Sequence, residues 1–207
     1  MAEQQGAEQQ GAEPQGAEPQ GIERRPLLLA LAALPLLAAA PDTPLAETIM
    51  AGLAALPSRS TGFVAEKRLA SLTAPLVSRG RLVFVRPAHL EQDTEAPKPE
   101  HLVIDGDELT ITADGEAPRR VALDAHPALR ALADTLRAAL AGDLATLRRL
   151  YAIEAQGTMQ AWRLLLVPNA APLRRALARV TLDGSGAWLR QIVIQQINGD
   201  SQRLILQ

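Results

Sequence analysis

The chain has 207 residues, with 21 Lys plus Arg against 23 Asp plus Glu, 2% aromatic residues and no cysteine. This balance provides no basic footprint for nucleic acid. The lack of thiols excludes disulfides, thiolate metal sites, a cysteine nucleophile and lipid attachment at a cysteine. With so few aromatics, interior surfaces must be aliphatic, the kind of surface that suits hydrocarbon.

Residues 2–21 are four copies of a five-residue unit, from Ala2-Glu3-Gln4-Gln5-Gly6 to Ala17-Glu18-Pro19-Gln20-Gly21. They carry nothing that could bury apolar surface, so 1–21 is expected to be a disordered low-complexity tail. Arg24 and Arg25 precede the Leu- and Ala-rich run from Pro26 to Leu37, which ends in Ala38-Ala39-Ala40. Charged, apolar and small-residue segments in this order read as a signal peptide over 22–40. The alternative, an anchoring helix, lacks the ~20 apolar residues needed to span hydrocarbon. Export then delivers a single domain over 41–207.

That domain opens with a helix from Pro44, capped by Asp42 or Thr43, with Leu45, Ile49, Leu53 and Leu56 on one face. Strand patterns follow at 60–72 and 80–86, then a polar strand or arm at 89–95, after which Pro97 and Pro99 interrupt. Further strands at 100–105, 108–112 and 119–124 are joined by turns at Gly106-Asp107 and Asp114-Gly115. From Pro127 the period changes: Leu129, Leu132, Leu136 and Leu140 make a helical stripe that stops at Gly142, and Asp143 caps a short helix to Leu150. The last third returns to strands at 151–156, 161–167, 179–183, 188–197 and 202–206, with a helical turn at 172–178. Runs of strands around a helical block predict an α+β fold, an antiparallel sheet of 10–11 strands with helices on one face.

Catalytic signals are missing. His89, His101 and His126 have no metal-ligand spacing and read as surface or turn residues. Asp105, Asp107 and Glu108 surround a tight turn that selects Asp and Gly for backbone reasons, and Gly184-Ser185-Gly186 is too short for a nucleophile elbow. The chain therefore does not read as an enzyme, and no cofactor or metal is expected. An aliphatic sheet face under the 129–140 helix can close as an ordinary core, the commoner outcome, or leave room for acyl chains. The alternation of Leu82, Phe84 and Arg86 puts a guanidinium at the end of an apolar stripe, where it needs carbonyl or carboxylate partners. Carbonyls of a movable lid would satisfy it only while the lid is closed.

The run from Gly80 to Arg86-Pro87 and the following Leu102-Val103-Ile104-Asp105-Gly106-Asp107 resemble the second strand and the next strand-turn of the LolA family of periplasmic outer-membrane lipoprotein carriers. The likeness continues in order over residues 43–207, with a late hairpin at Asp183-Gly184. It implies an incomplete antiparallel β-barrel around an apolar cavity lidded by helices, with Arg86 holding the lid shut. Lipid-contacting positions implied on this basis are Leu82, Phe84, Leu102, Ile104, Leu109, Ile111, Leu132, Leu136, Trp162, Leu164, Ile192 and Ile194. It further implies a monomeric periplasmic carrier that takes an acylated lipoprotein or other lipid from an inner-membrane export complex to an outer-membrane acceptor. The Pro97-Lys98-Pro99 arm, the few aromatics and an end at Gln207 depart from the lipoprotein carrier proper and point to a related branch with another acylated cargo. The second reading is a lipid-sensing regulatory module of the same fold, and a remote third is a lipid-active hydrolase.

Overall fold

A computed structural model describes residues 44–207. The repeat at 2–21 and the signal peptide at 22–40 lie outside the described residues. Helix α1 (Pro44–Ala54) comes first, followed by strands β1 (Arg59–Arg68), β2 (Leu76–Val85), β3 (His89–Ala96), β4 (Glu100–Asp105), β5 (Glu108–Ala113) and β6 (Arg119–Ala122). A 3₁₀ turn at Leu123–Ala125 leads into α2 (Pro127–Ala141) and α3 (Leu144–Leu150). Strands β7 (Tyr151–Thr158) and β8 (Ala161–Pro168), helix α4 (Ala171–Arg174), then β9 (Leu177–Ser185), β10 (Trp188–Gln196) and β11 (Ser201–Leu206) complete the domain.

All 11 strands form one antiparallel sheet in the order β6-β5-β4-β3-β2-β1-β11-β10-β9-β8-β7. Two meanders are thus zipped together where β1 pairs with β11, Phe63 opposite Leu206 and Ala65 opposite Leu204. The sheet stays open: β6 and β7 are its edges, and the chain passes between them through α2 and α3. The incomplete-barrel expectation is met. Alternation along each strand sends Phe63, Ala65, Leu82, Phe84, Leu164, Leu166, Val180 and Leu182 to one buried face, against the helices.

Two sequence expectations change. Gly80 was expected to open its strand, but β2 starts four residues earlier and Gly80 lies inside it, facing a bulge on β3 where the register shifts. A Cβ there would lie 1.8 Å from the Asp93 carbonyl oxygen, so the close backbone approach selects glycine. Asp183-Gly184 is likewise strand instead of turn. Gly184 makes room for the Trp162 ring, which a Cβ would meet at 2.1 Å, and the hairpin turns at Gly186, with φ +55°.

Helix α2 buries Ala131, Thr135, Ala138 and Ala139 toward the sheet side. The Tyr151 hydroxyl lies 2.8 Å from Thr135 Oγ1, and Thr135 donates its own proton to the Ala131 carbonyl at 2.6 Å. This satisfied buried pair fastens α2 to β7; burial raises the Tyr151 pKa. The helix ends at Gly142 in the left-handed conformation, φ +74°. Here α1 crosses so closely that a Cβ on Gly142 would sit 2.3 Å from the Met50 carbonyl oxygen and 2.4 Å from Ala54 N. Asp143 then caps α3, its carboxylate accepting the Thr146 N–H at 3.0 Å, and that bond lowers the Asp143 pKa from its ordinary value.

Two stability measurements follow from this junction. Gly142→Ala combines left-handed strain with backbone overlap and should cost about 3 kcal/mol in urea unfolding; a change below about 1 kcal/mol would contradict the close crossing. Asp143→Ala should cost about 1 kcal/mol at pH 7. Because the folded-state pKa is lowered, this contribution is present above the unfolded-state pKa and is lost as pH falls through the folded one. Unfolding curves of the two proteins should therefore converge as pH falls through the lowered folded-state pKa of Asp143, below the ordinary carboxylate range.

Candidate functional site

The helices do not fill the concave face evenly. α1 and α3 pack on β7, and α4 packs on β8 and β9, so that half is solid. Its core contains Ile49, Leu53, Leu147, Leu164, Leu166 and Leu173, all fully buried. Over β3, β4, β5 and the β10–β11 hairpin, α2 bridges the face without closing on it. A cavity of about 1030 Å³ remains between them. That is at the upper end of the usual range for small-molecule sites.

Each wall follows from strand parity. Leu90 of β3, Leu102 and Ile104 of β4, Leu109 of β5, Ile192 and Ile194 of β10 and Leu204 of β11 point inward. The roof is Leu129, Leu132, Ala133 and Leu136 of α2, together with Leu123. Polar lining comes from Lys67, Ser78, Gln92, Thr94, Lys98, Glu100 and Gln202. Much of it belongs to strand ends and to the Pro97-Lys98-Pro99 arm, so the wall is aliphatic within and polar at the mouth.

Of the sequence-derived positions, Leu102, Ile104, Leu109, Leu132, Leu136, Ile192 and Ile194 converge on this cavity. Leu82, Phe84, Trp162, Leu164 and Ile111 do not line it. Leu82 and Phe84 are packed in the core and border a separate cavity of about 260 Å³ with Arg59, Trp188 and Arg190. Trp162 is held over Gly184, its Nε1 donating to the Gly186 carbonyl at 2.9 Å, and Leu164 is sealed in the solid half. Ile111 packs on the cluster of Leu109, Leu123 and Ala133. Parity was right for these residues, but parity does not say where along the sheet the helices touch down.

Sequence reasoning missed Leu90, Leu123, Leu204 and the polar rim. Leu90, Gln92 and Thr94 alternate inward within a segment whose sequence reads as a polar strand or arm; pairing of Leu90 with both Phe84 and Ile104 gives the parity away.

The roof helix is secured chiefly by arginines. Arg86 sits between the C-termini of α1 and α2, where unpaired carbonyls carry the negative end of each helix dipole. Its Nε donates to Leu56 O at 2.8 Å, one terminal nitrogen donates to Leu53 O at 3.1 Å, and both terminal nitrogens reach Ala141 O at 3.3 and 3.4 Å. Its backbone N–H donates to Ser58 Oγ at 3.0 Å. Arg59, which the sequence reading did not single out, donates to the neighbouring Leu140 O at 2.6 Å. It stands at the end of the inward Phe63–Ala65 stripe just as Arg86 ends the Leu82–Phe84 stripe, and that shared pattern was the available signal.

These two guanidiniums differ in quality. Burial first, and then the Arg86 charge, lower the Arg59 pKa from its ordinary value, and Arg59 Nε is buried without a partner. At the other end of α2, Arg130 pairs with Asp124 and, at 2.8 Å, with Asp107, and further along the helix Arg137 donates to the Gly106 carbonyl at 2.8 Å. The Asp105–Glu108 turn thus serves as a hairpin corner and a docking point for the roof. His89 pairs with Glu91 at 2.6 Å, His101 with Asp93, and His126 precedes α2 at its N-cap. Among the described residues no group of three or more His, Cys, Asp or Glu side chains could hold a metal ion.

Comparison with known proteins adds the family. Comparison with curated proteins returns no match. Solved structures similar to the chain include a LolA superfamily protein from Nitrosomonas europaea, at 10% identity, covering 80% of this chain and 92% of that one, TM-score 0.43. Another is the lipoprotein LppX of Mycobacterium tuberculosis, at 12% identity, 77% and 93% coverage and TM-score 0.43. A third is the MucA/MucB complex of Pseudomonas aeruginosa, at 12% identity, 78% and 55% coverage and TM-score 0.40. The family model described as outer membrane lipoprotein carrier protein LolA-like matches residues 38–207, and the chain belongs to that family.

Proposed function

We propose that the 41–207 domain is a carrier that shields acyl chains of a lipoprotein or related lipid during transfer from the inner to the outer membrane. Residues 22–40 act as the signal peptide that delivers it, as a monomer, to the periplasm. Its partners are an inner-membrane export complex and an outer-membrane acceptor. The observation that carries this reading is the aliphatic cavity of about 1030 Å³ beneath α2, whose last carbonyls, Leu140 and Ala141, are held by exchangeable polar bonds from Arg59 and Arg86.

The energetics suit a shuttle. Each methylene taken out of water contributes about 0.8 kcal/mol, so a long acyl chain does not cross water unshielded. Bilayer and cavity are both apolar, so moving a chain between them changes little hydrophobic free energy. Small terms then set the direction. A hydrogen bond to a charged donor contributes about 1.5–3 kcal/mol, so opening the Arg86 contacts costs enough to limit affinity for cargo and to favour release. Cavity depth would take hydrocarbon, and Gln92, Thr94, Gln202 and Lys67 at its polar rim would face the head of the cargo.

Mass spectrometry of protein purified from periplasm tests the reading directly: co-purifying acyl species are expected, and their absence together with turnover of ester substrates would overturn it. Arg86→Leu should leave the domain folded but slow transfer of a fluorescent acyl lipid between two vesicle populations by tenfold or more, since release needs the closed roof to compete with cargo. Equal transfer by both proteins would reject the latch. The two arginines should also separate in urea unfolding. Arg86→Leu strips donors from three carbonyls and should cost about 3 kcal/mol, whereas Arg59→Met, which loses one bond and relieves a half-buried charge, should cost about 1 kcal/mol or less.

A further inference from the structure

Exposed apolar side chains on this domain are not scattered evenly. Leu72, Leu76 and Val77 are 48%, 51% and 52% exposed at the β1–β2 turn, and Ile197 is 61% exposed in the β10–β11 turn. These turns are neighbours: the Ala70 N–H donates to the Asp200 carboxylate at 2.8 Å, and a Cβ on Gly199 would touch the Ala70 methyl at 3.7 Å. The Ile197 N–H donates to Ala176 O at 3.1 Å, which brings the chain just after α4 alongside. Leu76 and Val77 also line the large cavity, so the patch is the outer lip of its mouth.

Cations surround the patch. Lys67 and Arg68 end β1, and Arg174 and Arg175 precede Ala176; all four are exposed. Acidic groups there are fewer. Asp200 is occupied by Ala70 N–H and the Asn198 amide, and Glu66 stands within the strand opposite Arg203 and Val77. Apolar tips within a cationic ring are the pattern of a surface that settles among lipid headgroups, where each cation near an anionic leaflet adds roughly fivefold to partitioning.

We infer that the β1–β2 and β10–β11 turns are a docking surface for an anionic phospholipid bilayer, which sets the cavity mouth against the headgroups so that an acyl chain enters without crossing water. Its purpose rests on the carrier reading, but its test does not. Leu72, Ile197, Arg68 and Arg175 lie outside the cavity lining, so their replacement separates docking from uptake.

The full chain, Leu72→Ser/Ile197→Ser and Arg68→Glu/Arg175→Glu are floated with vesicles of phosphatidylethanolamine and phosphatidylglycerol, and with phosphatidylcholine vesicles. The apolar run at 26–37 is common to all three proteins, so differences report the turns. Partitioning to the anionic vesicles should fall about tenfold in the serine variant and by more than about twenty-fivefold in the charge variant, which loses two cations and gains two anions. Both should still take up a fluorescent fatty acid from solution like the wild type. Equal flotation of all three proteins overturns the docking surface, as does equal wild-type binding to phosphatidylcholine, or retention by a protein partner without any vesicle binding. Loss of fatty-acid uptake by the wild type would instead count against the carrier reading and leave the flotation result standing.

Discussion

Two helix C-termini meet in one place, and the arrangement of the domain depends on what holds them there. Four carbonyls, those of Leu53 and Leu56 at and just beyond the end of α1 and of Leu140 and Ala141 at the end of α2, converge there, and two arginines at strand ends donate to them. Gly142 permits the close crossing, because any side chain there would overlap the backbone of α1. The junction is electrostatically favourable but partly exposed. It fixes the position of α2 without an apolar seam along the helix's whole length, and a space therefore survives beneath it.

The domain divides into a solid half and a hollow half along the same sheet. Over β7, β8 and β9 three helices contribute Ile49, Leu53, Leu147 and Leu173, all fully buried. Over β3 to β5 only α2 is available, and its inward residues there are three leucines and Ala133 spread along a helix that is fixed at both ends. An empty apolar space of this size is costly for stability, since its lining loses contacts on one side. The solid half, with the Thr135–Tyr151 bond joining it to α2, supplies the stability that lets the other half remain open.

Division of labour extends to chemistry. Polar side chains on the cavity are confined largely to one mouth, next to the arm Pro97-Lys98-Pro99 and the β1–β2 turn. The guanidiniums lie elsewhere, around the ends of α2. The aliphatic wall, the polar rim and the arginines that hold α2 are thus separate sets of residues. Arg59 carries the weaker half of the clamp: its unpartnered Nε and its proximity to Arg86 make it a charge held at some expense.

Alternation and punctuation were enough to read the strands, the helical stripe of Leu129 to Leu140, the caps at Gly142 and Asp143, and the need of Arg86 for carbonyl partners, because each depends on spacing within one segment. Gly80 and Gly184 misled for the opposite reason: they look like strand ends in isolation, and only the neighbouring strand and the Trp162 ring explain a glycine in mid-strand. The same limit governs the site. Leu164 and Ile194 have equivalent patterns, yet one is sealed in the core and the other lines the cavity. The chain's own spacing determined which face of each strand is apolar; the docking of three helices over one half of the sheet and one over the other decided which part of that face is filled, since burial depends on partners that sequence neighbours do not supply.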